Sequence, residues 1–239
     1  SSDLAGRLMP YYVEGMWYRD DRRPALIVNG HGPCRVRTRI ADVAVEIDVE
    51  TDFPFSDRVV FRVDPERPVR FTLSLRVPMG AGEVSVEAGA GAEVARGKDR
   101  IDVVRTWQPG DRAEVGFNFV VRRLKDRNGE FYHQWGPLVF SLPLADERKA
   151  IREFAALDGK PSGFHMWEIR PTDEGPWRYG LAPDATFILT ALEGGDMKTP
   201  WAKPPIGLRG ALRDAGGKPV EVTLKPLGSA LLRRTSFPM

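Results

Sequence analysis

Apolar residues recur at every second position along several stretches of the chain, and this alternation constrains the fold more than any other feature. They occupy the odd positions of the segments 43–49, 69–77 and 115–121. Successive side chains of a β-strand point to opposite faces, so each segment predicts a strand with one buried face. Helical patterns are scarce, and the buried faces must therefore pack against other sheets. We expect an all-β protein of two β-sandwich, jelly-roll-like domains.

One polar interruption divides this pattern. Residues 125–129 read Lys-Asp-Arg-Asn-Gly, and we place a domain boundary near them. The expected organisation is a helical or extended lead-in over 1–23, a first β-sandwich over 24–123 and a second over 124–239. Beyond the boundary, the spacing predicts strands over 137–142, 165–169, 186–192, 207–212, 220–224 and 230–234, with a loop over 199–205.

Two segments have helical spacing. Leu4, Leu8 and Tyr11 predict a short helix at the N-terminus, which Pro10 should kink or end. The second predicted helix covers residues 146–156, where Ile151 and Phe154 stand three positions apart on one face.

Charge and composition exclude several classes of function. Lys and Arg number 35 and Asp and Glu 33, and the two signs are interleaved, whereas a nucleic-acid partner needs a concentrated basic face. No apolar stretch approaches the ~20 residues of a membrane-spanning helix, so we expect no membrane partner. Cys34 is the only cysteine, which rules out an intrachain disulfide and a thiolate-rich metal site. Composition does not decide the compartment.

Candidate catalytic residues are few. The three histidines have no paired metal-ligand spacing, and neither a nucleophile elbow nor a phosphate-binding loop is present. His31 lies in a Gly- and Pro-rich turn, where we expect an exposed structural role. His165 and Glu168 are the weak catalytic candidates, although positions three apart on a strand point to opposite faces. The arginines after Cys34 could lower its pKa, but a packing role is the alternative.

Two further patterns leave alternatives open. Asp48, Glu50 and Asp52 would line one side of a strand, either as a calcium site or as a solvated face. Aromatic residues gather in the second half of the chain, and Trp135, Trp177 and Tyr179 are our candidates for stacking on sugar rings. The alternative is that these rings fill the junction between the two sandwiches.

Several segments, taken in order, resemble the region that follows the catalytic barrel in glycoside hydrolase family 127 (GH127), the β-L-arabinofuranosidase family. They are 50–55 (Glu-Thr-Asp-Phe-Pro-Phe), 71–78, 105–111 (Arg-Thr-Trp-Gln-Pro-Gly-Asp), 136–140, 167–171 with 176–181, and 224–228. The sequence departs from the family pattern at Met79, where a Trp often stands, and at Trp135 and Arg178, which replace the usual Arg and Asn.

The resemblance implies an (α/α)6 barrel followed by two β-sandwiches, with a cysteine nucleophile and a zinc ion in the barrel. Cys34 matches no family ligand, so we expect no cofactor in this chain and a helical-barrel catalytic domain as its partner, in cis or in trans. The leading hypothesis is a non-catalytic accessory portion of a glycoside hydrolase that supports the barrel and contacts carbohydrate. The alternatives are a free-standing carbohydrate-binding module and a hydrolase with an unrecognised site.

Overall fold

The computed structural model describes residues 2–239, with side chains from residue 8 onward. Strands make up 52% of the chain and helix 6%, which confirms the all-β prediction. The helix is α1 (Ser2–Glu14), and two short 3₁₀ turns are η1 (Gly175–Arg178) and η2 (Leu227–Ser229). The strands are β1 (Trp17–Asp20), β2 (Ala25–Val28), β3 (Cys34–Ile40), β4 (Val43–Glu50), β5 (Arg58–Pro65), β6 (Val69–Arg76), β7 (Ser85–Glu87), β8 (Glu93–Arg96), β9 (Arg100–Trp107), β10 (Asp111–Gly116), β11 (Val121–Lys125), β12 (Phe131–Trp135), β13 (Leu138–Pro143), β14 (Asp146–Ala155), β15 (Pro161–Pro171), β16 (Ile188–Ala191), β17 (Ile206–Arg213), β18 (Pro219–Pro226) and β19 (Arg233–Arg234).

The chain forms two compact units, 1–120 and 121–239. The first unit is a sandwich of two five-stranded sheets, with strand orders β1-β2-β6-β9-β8 and β3-β4-β5-β10-β7. Its core follows the alternation, because the buried positions of β4 and β5 face those of β6 and β9. Trp17 meets the fully buried Phe61 edge to face across the two sheets, with ring centroids 6.2 Å apart.

The segment 115–121 does not form the single strand that its alternation predicts. β10 ends at Gly116, and Asn118 adopts a φ of 46°, which a strand does not permit. The Asn118 side-chain amide instead donates a hydrogen bond to the Glu83 carbonyl oxygen. Phe117 and Phe119 are both buried, and their rings stack with centroids 5.8 Å apart. The alternation of apolar residues here reflects burial of these rings in a loop and not a strand.

The second unit contains a seven-stranded sheet with the order β11-β12-β13-β18-β17-β16, in which β19 also pairs with β13. Its core is built from side chains with no exposed surface, which are Phe140, Leu208, Leu212, Leu224 and Phe237. The predicted strands over 137–142, 207–212 and 220–224 are confirmed as β13, β17 and β18.

A two-stranded ribbon, β14 with β15, completes the second unit, and the helix predicted over 146–156 is therefore wrong. The register shifts between Ala150 and Arg152, so that β14 carries Ile151 as an extra residue. Because of this bulge the strand does not keep a strict period of two, so Ile151 and Phe154 can stand three positions apart without forming a helix.

The helix α1 continues through Pro10 to Glu14 and does not end at the proline. No helix in the described part of the chain is long and apolar enough to cross a membrane.

Candidate functional site

The carboxylates of β4 are engaged by arginines on the neighbouring strands. Arg35 Nε lies 2.6 Å from Asp48 Oδ1, and Arg62 Nε binds Glu50 Oε1. These guanidinium hydrogen bonds lower the pKa of both carboxyl groups. Within the described residues no group of three His, Cys, Asp or Glu side chains is placed to hold a metal ion. The geometry favours a solvated, ion-paired strand face over a calcium site.

Cys34 is half-buried on β3, and its surroundings do not activate the thiol. Burial raises the pKa of the thiol, contrary to the predicted effect of the arginines. Arg35 and Arg37 are held by Asp48 and Glu46, so their charges are largely neutralised. A single half-buried cysteine does not fit the zinc site that the resemblance implies for the barrel.

His31 is an interior residue, and its predicted exposure is wrong, because only 3% of it reaches solvent. Its Nε2 donates a hydrogen bond of 2.6 Å to the Arg76 carbonyl oxygen, and its ring lies 4.8 Å from that of Phe117. Burial lowers the pKa of His31. The arrangement ties the turn at 29–33 to the end of β6, which is a structural role.

The two weak catalytic candidates lie on β15 and do not meet. His165 Nε2 is 3.9 Å from Glu153 Oε2 on β14, whereas Glu168 Oε1 accepts a hydrogen bond of 2.5 Å from Arg170 Nη2. Glu168 stands opposite Lys149 in the ribbon, on the face that His165 does not share. The ribbon therefore provides no acid–base pair from these two residues.

The aromatic candidates separate by burial. Trp135 is 6% exposed and packs in the second unit, so its ring is not available to a sugar. Trp177 lies in η1 and is 39% exposed, and Tyr179 follows it with partial exposure. The backbone amide of Gly180, next to Tyr179, donates a hydrogen bond of 2.8 Å to the Arg213 carbonyl oxygen and anchors this segment to β17. Of the three aromatic candidates, Trp177 and Tyr179 are therefore the two that are accessible to solvent.

One exposed apolar surface of the first unit was not identified from the sequence as functional. It is the C-terminal half of α1, where each apolar side chain is 55–70% exposed: Leu8, Met9, Tyr11, Tyr12 and Val13. The signal was present as helical spacing, but the sequence alone does not tell whether a partner covers the helix.

Comparison with known proteins identifies the first unit. Residues 25–119 match the family model of the GH127 middle domain of β-L-arabinofuranosidases. No curated protein sequence matches the chain significantly.

Among solved structures, the fold is similar to that of a GH127 β-L-arabinofuranosidase from Geobacillus stearothermophilus T6. The TM-score is 0.66 at 19% identity, over 92% of this chain and 33% of that chain. A second GH127 β-arabinofuranosidase gives a TM-score of 0.62 at 16% identity, over 91% and 35% of the two chains. A structure described as a glycoside hydrolase gives 0.60 at 17% identity, over 89% and 35%.

These likenesses show a common fold, and the chain spans about a third of the length of the structures it matches. The match to the family model lies within the first unit, whereas the shared fold extends over 92% of the chain. The sandwich of residues 25–119 is therefore similar to the GH127 middle domain, and the chain is GH127-like in fold.

Proposed function

We propose that this chain is the non-catalytic β-sandwich portion of a GH127-like glycoside hydrolase and that it braces a helical catalytic domain. The observation that carries the proposal is the exposed apolar surface of α1, together with the family match of the sandwich that follows it.

The exposed surface of α1 extends around most of the helix. At about 100° per residue, the positions of Leu8, Met9, Tyr11, Tyr12 and Val13 cover an arc of about 200°, well above the ~100° stripe of a helix that packs on one side. A helix of 13 residues that contains a proline is marginal in water on its own. Coverage by other helices on more than one side would stabilise it, and a helical barrel provides such neighbours.

Binding of the chain to a separately produced GH127 helical barrel tests this role by calorimetry. We expect binding by the wild type and its loss in Leu8→Asp and Tyr11→Asp, because each places a charge in the covered surface. Ile188→Asp is the matched control, since Ile188 is 67% exposed but lies in the second unit. Equal binding by all four proteins would contradict a docking role for α1.

Assays of the chain alone test its non-catalytic character. We expect no hydrolysis of aryl arabinofuranosides by residues 1–239. Turnover by the chain that a single substitution within it abolishes would refute the accessory role and favour a hydrolase with an unrecognised site.

Carbohydrate contact, in the accessory portion or in a free-standing binding module, is supported by Trp177 and Tyr179. An exposed indole next to a partly exposed phenol provides two apolar faces for sugar rings. We expect an arabinofuranose oligosaccharide to quench tryptophan fluorescence in the wild type and not in Trp177→Ala. Tyr18→Ala, which removes an exposed aromatic ring from β1, should bind as the wild type does. No response across a broad glycan panel would exclude this contact.

A further inference from the structure

Two arginines stand directly opposite each other on neighbouring strands of the first unit. Arg76, the last residue of β6, pairs with Arg100, the first residue of β9, and both side chains lie on the face away from the core. Like charges that stand directly opposite each other in an antiparallel pair destabilise it. The sheet therefore keeps two positive charges together here against their mutual repulsion.

Among the described residues, neither of these guanidinium groups has an ion-pair partner. Arg100 donates hydrogen bonds to two neutral acceptors, the side-chain oxygen of Asn29 and the Ser74 carbonyl oxygen. Asp102, the acidic residue of β9, is bound at 3.1 Å by Arg23. The part of the chain that the structure describes thus supplies two positive charges here and no counter-ion.

A pocket of about 170 Å³ opens beside Arg76, between the end of α1 and the sandwich. Its walls include the rings of Tyr12 and Phe53, which give it apolar faces. The polar side chains that line it bring donors: the guanidinium of Arg76, the hydroxyl of Tyr12 and the NH2 group of Asn29, whose oxygen is already used by Arg100. Within the described residues no Asp or Glu lines this pocket.

We propose that this pocket binds the carboxylate of a small organic acid. The two oxygens of a carboxylate match the fork of the Arg76 guanidinium, and the Asn29 amide can donate to the same group. A bound anion also offsets the repulsion between Arg76 and Arg100. Pockets for drug-sized ligands measure about 300–1,000 Å³, so a space of about 170 Å³ admits only a small acid.

A larger cavity of the first unit contains more arginines but also their counter-ions. It measures about 580 Å³, lies beside the turn between β1 and β2, and is lined by three aspartates as well. There Arg19 pairs with Asp21 at 3.2 Å, and Arg23 pairs with Asp20 at 3.0 Å. The number of arginines therefore does not single out the pocket at Arg76, whereas the missing counter-ion does.

Titration with acetate, followed by NMR of the backbone amides, tests the proposal. At constant ionic strength, acetate should shift the amide signals of Gly30 and Met79, which line the pocket, whereas neutral acetamide should not. Arg76→Gln should weaken acetate binding by about tenfold or more, the loss expected for a hydrogen bond to a charged group. Arg70→Gln is the matched control and should bind acetate as the wild type does, because Arg70 is exposed on the same face of β6 but is paired with Glu93 at 2.9 Å.

Thermal unfolding separates a binding role from a structural one. Acetate should raise the unfolding midpoint of the wild type more than that of Arg76→Gln, since a ligand that binds only the folded state stabilises it. Without acetate, Arg76→Gln should unfold at the wild-type temperature or above, because the change removes a like-charge pair. Absence of amide shifts with acetate, equal shifts with acetamide, or an unchanged affinity in Arg76→Gln overturns the proposal. Tighter binding of inorganic phosphate than of acetate overturns the assignment to a carboxylate.

Discussion

Mild acid should destabilise this protein through His133, which is 2% exposed on β12. Burial, with a smaller contribution from the charge of Arg123 opposite it on β11, lowers the pKa of His133 from 6.5 to about 4. Its ring packs 4.3 Å from that of Phe187, and its Nδ1 is buried without a hydrogen-bond partner. The folded state therefore holds the neutral imidazole.

The sign and size of the effect follow from proton linkage. Above pH 6.5 His133 is neutral in both states and has no effect, whereas between pH 6.5 and 4 the unfolded chain takes up a proton that the folded chain does not. The free energy of unfolding falls over this window, by about 2 kcal/mol at pH 5 relative to pH 8. The carboxylates of Asp48 and Glu50, whose pKa values are lowered in the fold, lose their contributions mainly below pH ~4.5, which is below the range from pH 8 to pH 5 that is compared.

Urea unfolding at a series of pH values measures this fall. His133→Gln should flatten the curve between pH 8 and pH 5, whatever its effect on stability at pH 8. Part of the slope should persist, because burial also lowers the pKa of His31. A wild-type free energy that is constant from pH 8 to 5, or an equal slope in His133→Gln, would show that the imidazole is protonated in the folded state.

Three further changes test the fold, each measured by urea or thermal unfolding. Ala41 has a φ of 46° in the two-residue turn between β3 and β4, so Ala41→Gly should stabilise the fold by about 1 kcal/mol. Ala44→Gly, within β4, should instead destabilise the fold by about 0.5–1 kcal/mol. Equal effects of the two changes would contradict backbone strain at Ala41. Gly210→Ala should destabilise by about 1–3 kcal/mol, because its Cβ would stand 2.6 Å from the Thr186 carbonyl oxygen, and a neutral result would mean that the chain yields there. Trp107→Phe should lower the free energy of unfolding by at least about 1 kcal/mol, because the fully buried indole N–H donates a hydrogen bond of 3.1 Å to the Phe71 carbonyl oxygen. An unchanged unfolding midpoint would argue against that hydrogen bond.

The strands that the sequence predicts are those with one solvent-exposed face and one buried face, because burial of every second side chain gives them a period of two. β4 and β6 are such strands. The ribbon of β14 and β15 was mistaken for a helix in part because nearly all of β14 is exposed on both faces, so no buried face imposes alternation. The strand prediction for residues 117–120 was wrong for the opposite reason: Phe117 and Phe119 are buried although they lie in a loop.

The candidate site was less predictable than the fold. Trp135 and Trp177 both stand near glycine and proline in the sequence, yet one is buried in the sheet and the other exposed on a 3₁₀ turn. Local pattern does not distinguish them, because the depth of a ring depends on strands distant in the chain. The exposed surface of α1 was not predicted for a related reason. Exposure depends on which residues pack against the helix, and the sequence of the helix does not specify them.

The ion-paired face of the first unit bears on how the protein avoids aggregation. With a net charge of +2, the molecule as a whole repels its copies only weakly. β3 lies at the edge of its sheet, and every second residue along it is an arginine: Arg35, Arg37 and Arg39. Adding another strand there would take this row of charged side chains and their ion pairs out of water, so the edge of the sheet itself discourages the association that the small overall charge does not prevent.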